Sequence, residues 1–204
     1  MALAKVQPKF FTPDEYLTLE ETATSKSEYF RSEIFAMAGG SANHNRIAGN
    51  VHAVLNNGLR SSRCEAFNSD MRLLVKAHQL YTYPDTMVVC GRIEFAKDRN
   101  DTITNPTVLV EVLSPSTQDY DRGQKFEFYR SLPSLQDYLI IHQDQVRIEY
   151  YHKLADKQWV LLELTDSETA VTIQSLNFEI PLRRIYERVD WSSASAIPDA
   201  AQNR

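Results

Sequence analysis

Two carboxylates stand in or beside apolar strand-like runs near the middle of the 204-residue sequence. Glu111 lies within Val108–Leu113, and Asp85 follows Pro84 and precedes the apolar run at residues 86–89. A buried carboxylate without a partner costs several kcal/mol. Carboxylates on neighbouring strands can converge, and their oxygens are ligands that suit Mg²⁺. The alternatives are a turn residue after proline for Asp85 and a solvent-facing charge on an edge strand for Glu111.

A lysine follows these acids on a predicted helix. Lys125 shares the spacing of one helix face with three apolar residues, Phe128, Tyr129 and Leu132. If that face packs on the sheet, Lys125 is drawn toward the acids. There it could orient a water molecule or stabilise negative charge developing on a phosphate. The alternative is an exposed ion pair between Asp121 and Lys125, four residues apart on the helix.

Five other polar residues are weaker candidates, namely Glu33, His44, Asp70, Arg72 and Gln118. Glu33 lies among aliphatic and aromatic residues. His44 opens a helix, where it could reach a phosphate or only cap and pack. Asp70 is expected to support a site rather than bind metal directly, and Arg72 to pair with it or contact phosphate. Gln118 lies near the proposed site through its position between Glu111 and Lys125.

The order of predicted elements indicates the fold class. A helix start is signalled by Thr12 as N-cap, Pro13 at the first helical position and Glu15 three residues after the cap. The segments then run as strands, a helix, several strands, a helix and further strands. This order predicts an α/β or α+β fold with a mixed central β-sheet flanked by helices. It predicts one domain over residues 10–190, with flexible termini at residues 1–9 and 191–204.

Composition narrows the function classes. The net charge is −5 and the pI about 5.6, which argues against a protein that coats nucleic acid through bulk positive charge. A local basic groove beside an acidic site is still compatible with these values. No apolar run approaches membrane-spanning length and no signal peptide is evident. Two cysteines, Cys64 and Cys90, suit a reduced cytoplasmic protein, although one disulfide is also compatible with that count.

Together the two acids, the lysine and the stretches around them resemble the PD-(D/E)XK nuclease superfamily. More closely, the chain resembles the bacterial restriction-endonuclease family often called Uma-two. The resemblance runs from FTPDEYLTLEE to PLRRIYERV and is carried by SEIFAMAGGSANHNRIAGN, NSDMRLLV, YTYPDTMVVC and NPTVLVEVLSPSTQDYDRGQKFEFYRSLPSLQDYLII. It implies a restriction-endonuclease-like fold.

The resemblance also implies roles for individual residues. Asp85 and Glu111 would bind Mg²⁺, or Mn²⁺ in its place, and Glu33 would assist. The superfamily pattern places lysine two residues after the second acid, but Leu113 stands there, so Lys125 on the following helix would take that role. The family usually has glycine before its first Glu, where this chain has Ser32.

The predicted function is Mg²⁺-dependent hydrolysis of DNA phosphodiester bonds. A bound metal would polarise a phosphate oxygen and lower the pKa of its water. One alternative is a non-catalytic nucleic-acid- or protein-binding module on the same fold, and another is a metal-dependent phosphoesterase for a small substrate. A homodimer is expected by analogy, because two sites related by a two-fold axis cut two strands most simply.

Overall fold

The computed structural model describes residues 10–114 and 117–192 of the chain. The helical segments alternate with strands along the chain. The α-helical segments are α1 (Pro13–Glu20), α2 (Ala42–Gly58), α3 (Gln118–Tyr120), α4 (Phe126–Tyr129) and α5 (Leu182–Ile185), with a π-helical segment, Asp121–Lys125, between α3 and α4. The strands are β1 (Ser27–Phe30), β2 (Glu33–Ala36), β3 (Cys64–Asn68), β4 (Arg72–Val75), β5 (Leu80–Thr82), β6 (Thr86–Cys90), β7 (Thr102–Ile103), β8 (Val108–Leu113), β9 (Asp137–His142), β10 (Ile148–Ala155), β11 (Gln158–Leu164), β12 (Ala170–Ile173) and β13 (Phe178–Pro181).

The central sheet has six strands in the order β11-β10-β9-β8-β6-β3. The pair β8–β9 is parallel and the other pairs are antiparallel, so the sheet is mixed, as the sequence predicts. A second sheet has the order β2-β1-β5-β4-β7, and β12 pairs with β13. The mixed α and β architecture with flanking helices confirms the predicted fold class.

Strand β8 is buried on both faces and divides the core into two halves. On one face Val108, Val110 and Val112 pack in the cluster that contains the apolar side of α2. On the other face Leu109 and Leu113 pack in the cluster formed with α4. Since successive side chains of a strand alternate between its faces, Glu111 points to the same face as Leu109 and Leu113, which is the face covered by α4.

The helix that carries Lys125 is continuous from α3 through the π-helical segment to α4 and is referred to below as the segmented helix. The predicted buried face is confirmed, since Lys125, Phe128, Tyr129 and Leu132 are all buried. A π-helical segment was not predicted. Such segments widen the helix locally and are frequent at functional sites.

Several local predictions can be compared with the structure. Thr12 and Glu15 form the predicted capping box of α1. Cys64 and Cys90 face each other on β3 and β6 and form a disulfide, in contrast to the reduced cysteines expected from their number. Within the described residues, no helix is long and apolar enough to cross a membrane.

The predicted flexible termini fall mostly outside the described residues, which exclude residues 1–9 and 193–204. Two residues of the C-terminal stretch are described. The ring of Trp191 packs against Tyr186, with centroids 5.6 Å apart. Ser192 donates a hydrogen bond from its backbone N–H to Asp190 Oδ1.

Candidate active site

The pairing of β6 with β8 in the central sheet brings Asp85 and Glu111 next to each other. Antiparallel β6 and β8 pair Thr86 with Val110. Asp85 precedes Thr86 and Glu111 follows Val110, so the two acids lie opposite each other, one position beyond this pair. The N–H of Val112 donates a hydrogen bond of 2.7 Å to Asp85 Oδ2, which fixes the Asp85 side chain against β8. Both acids line the same cleft.

Lys125 is the charged partner of Glu111. Its Nζ lies 2.9 Å from Glu111 Oε1, 3.4 Å from Asp121 Oδ1 and 3.5 Å from Glu28 Oε1. The hydroxyl of Tyr129 donates a further hydrogen bond of 2.7 Å to Glu111 Oε1. The carboxylate inside the apolar strand is thus neutralised and hydrogen-bonded by side chains that the segmented helix supplies.

Burial and charge act in opposite directions on this pair. Burial raises the pKa of Glu111 above its usual range, against the lowering effect of the Lys125 charge, and the nearby Asp121 and Asp85 add to the rise. Burial alone would lower the pKa of Lys125, but the charges around it, Glu111 first, raise that pKa well above its usual range. Lys125 is therefore held as a cation between several carboxylates.

Glu28, which the sequence analysis did not single out, reaches this cluster. It lies on β1, which pairs Tyr29 with Tyr81 on β5, and it accepts a hydrogen bond from the Thr82 hydroxyl at the end of β5. Only Tyr83 and Pro84 separate Thr82 from Asp85 in the chain. The second sheet therefore delivers Glu28 to the same cleft as the acids of the central sheet.

Glu33, the predicted N-terminal acid, lies elsewhere. It is exposed on β2, outside the residues that line the cleft. Strand β2 is at the edge of its sheet, whereas β1 lies between β2 and β5. Both strands contain one glutamate among apolar residues, so only the order of strands distinguishes Glu28 from Glu33.

His44 is close to the predicted metal ligands. Ser41 caps the N-terminus of α2, and His44 in its first turn places Nε2 3.3 Å from Asp85 Oδ2. Burial lowers the pKa of His44, but its hydrogen bond to Asp85 and the surrounding carboxylate charges raise it overall. A helix N-terminus and an imidazole thus flank Asp85 at the mouth of the cleft.

The other three supporting candidates lie apart from the cleft lining. Asp70 is exposed and forms an ion pair with Lys26 at 2.5 Å. Arg72 is buried and donates to the hydroxyl of Tyr83 at 2.8 Å. Tyr83 lines the cleft but Arg72 does not, and Arg72 pairs with Glu20 and Asp101 rather than with Asp70 as predicted. Gln118 is exposed on α3.

The cleft has a volume of about 760 Å³ and an acidic lining. Its carboxylates are Glu28, Asp85, Glu111, Asp121 and Asp144, and its basic side chains are Lys125 and His44. An anionic phosphodiester would meet net negative charge here. It could approach closely only if a further cation offset that charge.

The donor set can be compared with the needs of a magnesium ion. Within residues 10–114 and 117–192, no group of three or more His, Cys, Asp or Glu side chains is arranged to hold a metal. Mg²⁺ usually keeps several waters and takes only one or two protein carboxylates plus substrate phosphate oxygens. Asp85 and Glu111 fit such a site, which water and substrate would complete.

Comparisons with known proteins agree with the fold. The model of the Uma2 family, described as "Putative restriction endonuclease", matches residues 13–183. Two proteins of Synechocystis sp. (strain PCC 6803), both described as uncharacterized, are similar to the chain. Protein sll1609 is 45% identical over 76% of this chain and 88% of its own length, and slr1290 is 41% identical over 86% and 90%.

A solved structure shares the architecture. It is described as a "putative nuclease belonging to DUF820" from Anabaena variabilis, with a TM-score of 0.69 and 19% identity. The match covers 86% of this chain and 97% of the other. At this identity the likeness establishes the fold and not the reaction.

Proposed function

The chain belongs to the Uma2 family, and we propose that it is a Mg²⁺-dependent endonuclease that hydrolyses DNA phosphodiester bonds. One observation carries the proposal: Lys125 from the segmented helix lies 2.9 Å from Glu111 in a cleft that Asp85 also lines. Two acids and a lysine thus meet at one place although the lysine comes from a later element. Mn²⁺ would be an alternative metal.

Asp85 and Glu111 are the proposed metal ligands, with Glu28 assisting in place of Glu33. A bound metal would polarise a phosphate oxygen and lower the pKa of a bound water. Glu111 has its cationic partner in Lys125, so metal binding would require the two side chains to separate or to share the carboxylate. Lys125, released toward the substrate, would orient the attacking water or stabilise the charge developing on the phosphate.

The acidic lining supports a role for a metal cation. Without one, the carboxylates of the cleft oppose the approach of a phosphodiester. His44, held beside Asp85, offers the substrate a second positive group at the N-terminus of α2. The remaining candidates, Asp70, Arg72 and Gln118, take no part in this proposal because they lie outside the cleft lining.

A plasmid-cleavage assay tests the proposal. Purified wild-type protein should relax or linearise supercoiled DNA with Mg²⁺ or Mn²⁺ and lose this activity with EDTA. Asp85→Asn, Glu111→Gln and Lys125→Gln should each lower the rate by at least about a hundredfold. Circular dichroism and a melting curve on each variant would separate loss of catalysis from loss of folding.

Glu28→Gln and Glu33→Gln form a matched pair for the N-terminal acid. Both change one strand glutamate to its amide, but only Glu28 lines the cleft. We expect Glu28→Gln to reduce cleavage and Glu33→Gln to leave it unchanged. The reverse result would restore Glu33 to the site. Full activity in Asp85→Asn would refute the metal site itself.

A phosphoesterase acting on a small substrate is a second candidate. The cleft volume of about 760 Å³ lies in the range typical of pockets for small ligands. Cleavage of bis(p-nitrophenyl) phosphate but not of plasmid, with the same dependence on Asp85 and Glu111, would favour this candidate. DNA binding without hydrolysis of either substrate would favour the non-catalytic binding module.

A further inference from the structure

Strand β11 forms one edge of the central sheet and exposes a run of large apolar side chains. Val160 and Leu161 are each 47% exposed and Leu162 is 51% exposed. Strand β10 pairs with one side of β11, and in the described residues no other strand pairs with its opposite side. Edge strands are commonly protected by lysine, proline or a bulge, but β11 reads QWVLLEL and has neither lysine nor proline. The pairing of β10 with β11 is irregular between Lys153 and Ala155, opposite the start of β11, and is regular from Val160 onward.

The free backbone groups of β11 can be identified from the hydrogen bonds of the sheet. His142 donates its N–H to the carbonyl of Arg147 at 3.0 Å, so the odd-numbered residues of β10 bond toward β9 and the even-numbered ones toward β11. The register pairs His152 with Val160 and Tyr150 with Leu162. The backbone N–H and C=O groups of Val160 and Leu162 therefore bond to β10.

The backbone groups of the alternate residues point away from β10. Trp159, Leu161 and Glu163 direct their N–H and C=O groups to the open edge. Such a row of unpaired donors and acceptors is a template for another strand. A strand added at this edge would form main-chain hydrogen bonds with β11. Its side chains would also lie beside the exposed apolar side chains of β11 and cover part of their surface.

We propose that the occupant of this edge is a second copy of the same chain, paired antiparallel through a two-fold axis at Leu161. In this register each Leu161 exchanges both backbone hydrogen bonds with its counterpart, and Trp159 does so with the second copy's Glu163. Val160 faces the second copy's Leu162, so the exposed apolar side chains cover one another. An antiparallel strand pair is self-complementary, which is the requirement of a two-fold interface.

Charge favours a second copy in this register. Glu163 is the one charged residue of β11, and it faces tryptophan rather than another acid. The nearest charge diagonal to it is Lys157 of the second copy, at the turn between β10 and β11. Within β11 no like charges lie opposite each other. Glu163 already forms an ion pair with Arg147 of its own chain, and this register adds a second base nearby. The proposal does not depend on the chemistry of the cleft.

Paired substitutions test this register. Sedimentation velocity over a concentration series should show a dimer for the wild-type chain. Because residue 160 faces residue 162, Val160→Lys with Leu162→Lys should weaken dimerisation by about tenfold or more, while Val160→Lys with Leu162→Glu should restore it. Both double variants add two exposed charged side chains, so only their relative sign differs.

Leu19→Lys is the matched control, since Leu19 is also exposed, at 49%, but lies on α1. It should leave the dimer intact, and melting curves would confirm that each variant is folded. A wild-type chain that stays monomeric at every concentration would overturn the proposal. So would a dimer that survives the two lysines, or a β11 edge captured only by a different protein.

Discussion

Glu111 is a carboxylate in a strand whose other side chains are all apolar. The free-energy cost of burying this carboxylate is offset by an ion pair with Lys125 at 2.9 Å and a hydrogen bond from the Tyr129 hydroxyl at 2.7 Å. Lys125 supplies the positive charge beside Glu111, at the carboxylate to which the proposed function assigns the metal. The same side chain thus stabilises the folded protein and stands where the proposed chemistry needs it.

Removing Lys125 should therefore cost stability as well as activity. Lys125→Met leaves Glu111 and Asp121 buried without their cation, and we expect the free energy of unfolding to fall by about 3–5 kcal/mol. Glu111→Gln should cost less, because Lys125 keeps Asp121 and Glu28 as partners. Urea unfolding of the variants measures both effects.

Lys26→Met is the control for this comparison. Lys26 also pairs with an aspartate, Asp70, but Asp70 is largely exposed and Lys26 is partly exposed, and pairs near the surface contribute about 1 kcal/mol or less. If Lys125→Met were no more destabilising than Lys26→Met, the buried ion pair would not be what stabilises Glu111. That outcome would also weaken the argument that Lys125 is held at the site as a cation.

What the sequence predicts at this scale depends on the range of the contact. Asp85 and Glu111 could be identified because each is anomalous in its own segment, one at the start and one inside an apolar run. Lys125 followed from helical periodicity. Glu28 could not be distinguished from Glu33, because their difference arises from which strand pairs with β5, and nothing local to either strand specifies that pairing.

Among the helices and strands, the cap of α1 and the limits of β8 follow from the sequence, but the shape of the segmented helix does not. Capping in α1 depends on residues within one turn of each other. The π-helical segment and the residues after it contact the sheet through long-range bonds: Tyr138 donates to the Asp121 carbonyl, and Glu111 bonds to both Lys125 and Tyr129. The helical pattern alone indicates a regular helix there, and tertiary packing determines the additional width.

Gly123 lies within the π-helical segment, and replacing it should stabilise that segment. A Cβ added there would meet no atom within 4 Å, and the residue has no positive φ. We expect Gly123→Ala to raise the free energy of unfolding by about 0.5–1 kcal/mol, since alanine loses less backbone entropy in a helix. A urea or thermal unfolding series would measure the gain.

Gly58 at the end of α2 provides the opposite case. A Cβ there would lie 2.2 Å from the Phe178 ring, which packs against the core, so Gly58→Ala should lower stability. If Gly123→Ala also lowered it, glycine would be required for the π-helical geometry itself. Activity measured alongside would show whether that geometry positions Lys125.

At the scale of the whole molecule, the order of strands determines both the site and the proposed interface. The pairing of β6 with β8 joins the two acids, and the pairing of β1 with β5 adds Glu28 from the second sheet. The same order leaves β11 at one edge of the central sheet and β3 at the other. Long-range pairings of this kind were beyond the sequence analysis, which predicted a mixed sheet but no strand order.

The edge at β3 is fixed to its neighbour by the disulfide between Cys64 and Cys90, which closes a loop with a sequence separation of 26. A crosslink of this size should contribute about 3 kcal/mol by limiting the unfolded chain. We therefore expect dithiothreitol to lower the urea midpoint of the wild-type protein and to leave a Cys64→Ser, Cys90→Ser double variant unchanged. Thiol titration of the unfolded, unreduced protein should detect no free cysteine. Two titratable thiols per chain would instead support the reduced state that the cysteine count suggests, and β3 would then be held by its strand pairing and packing alone.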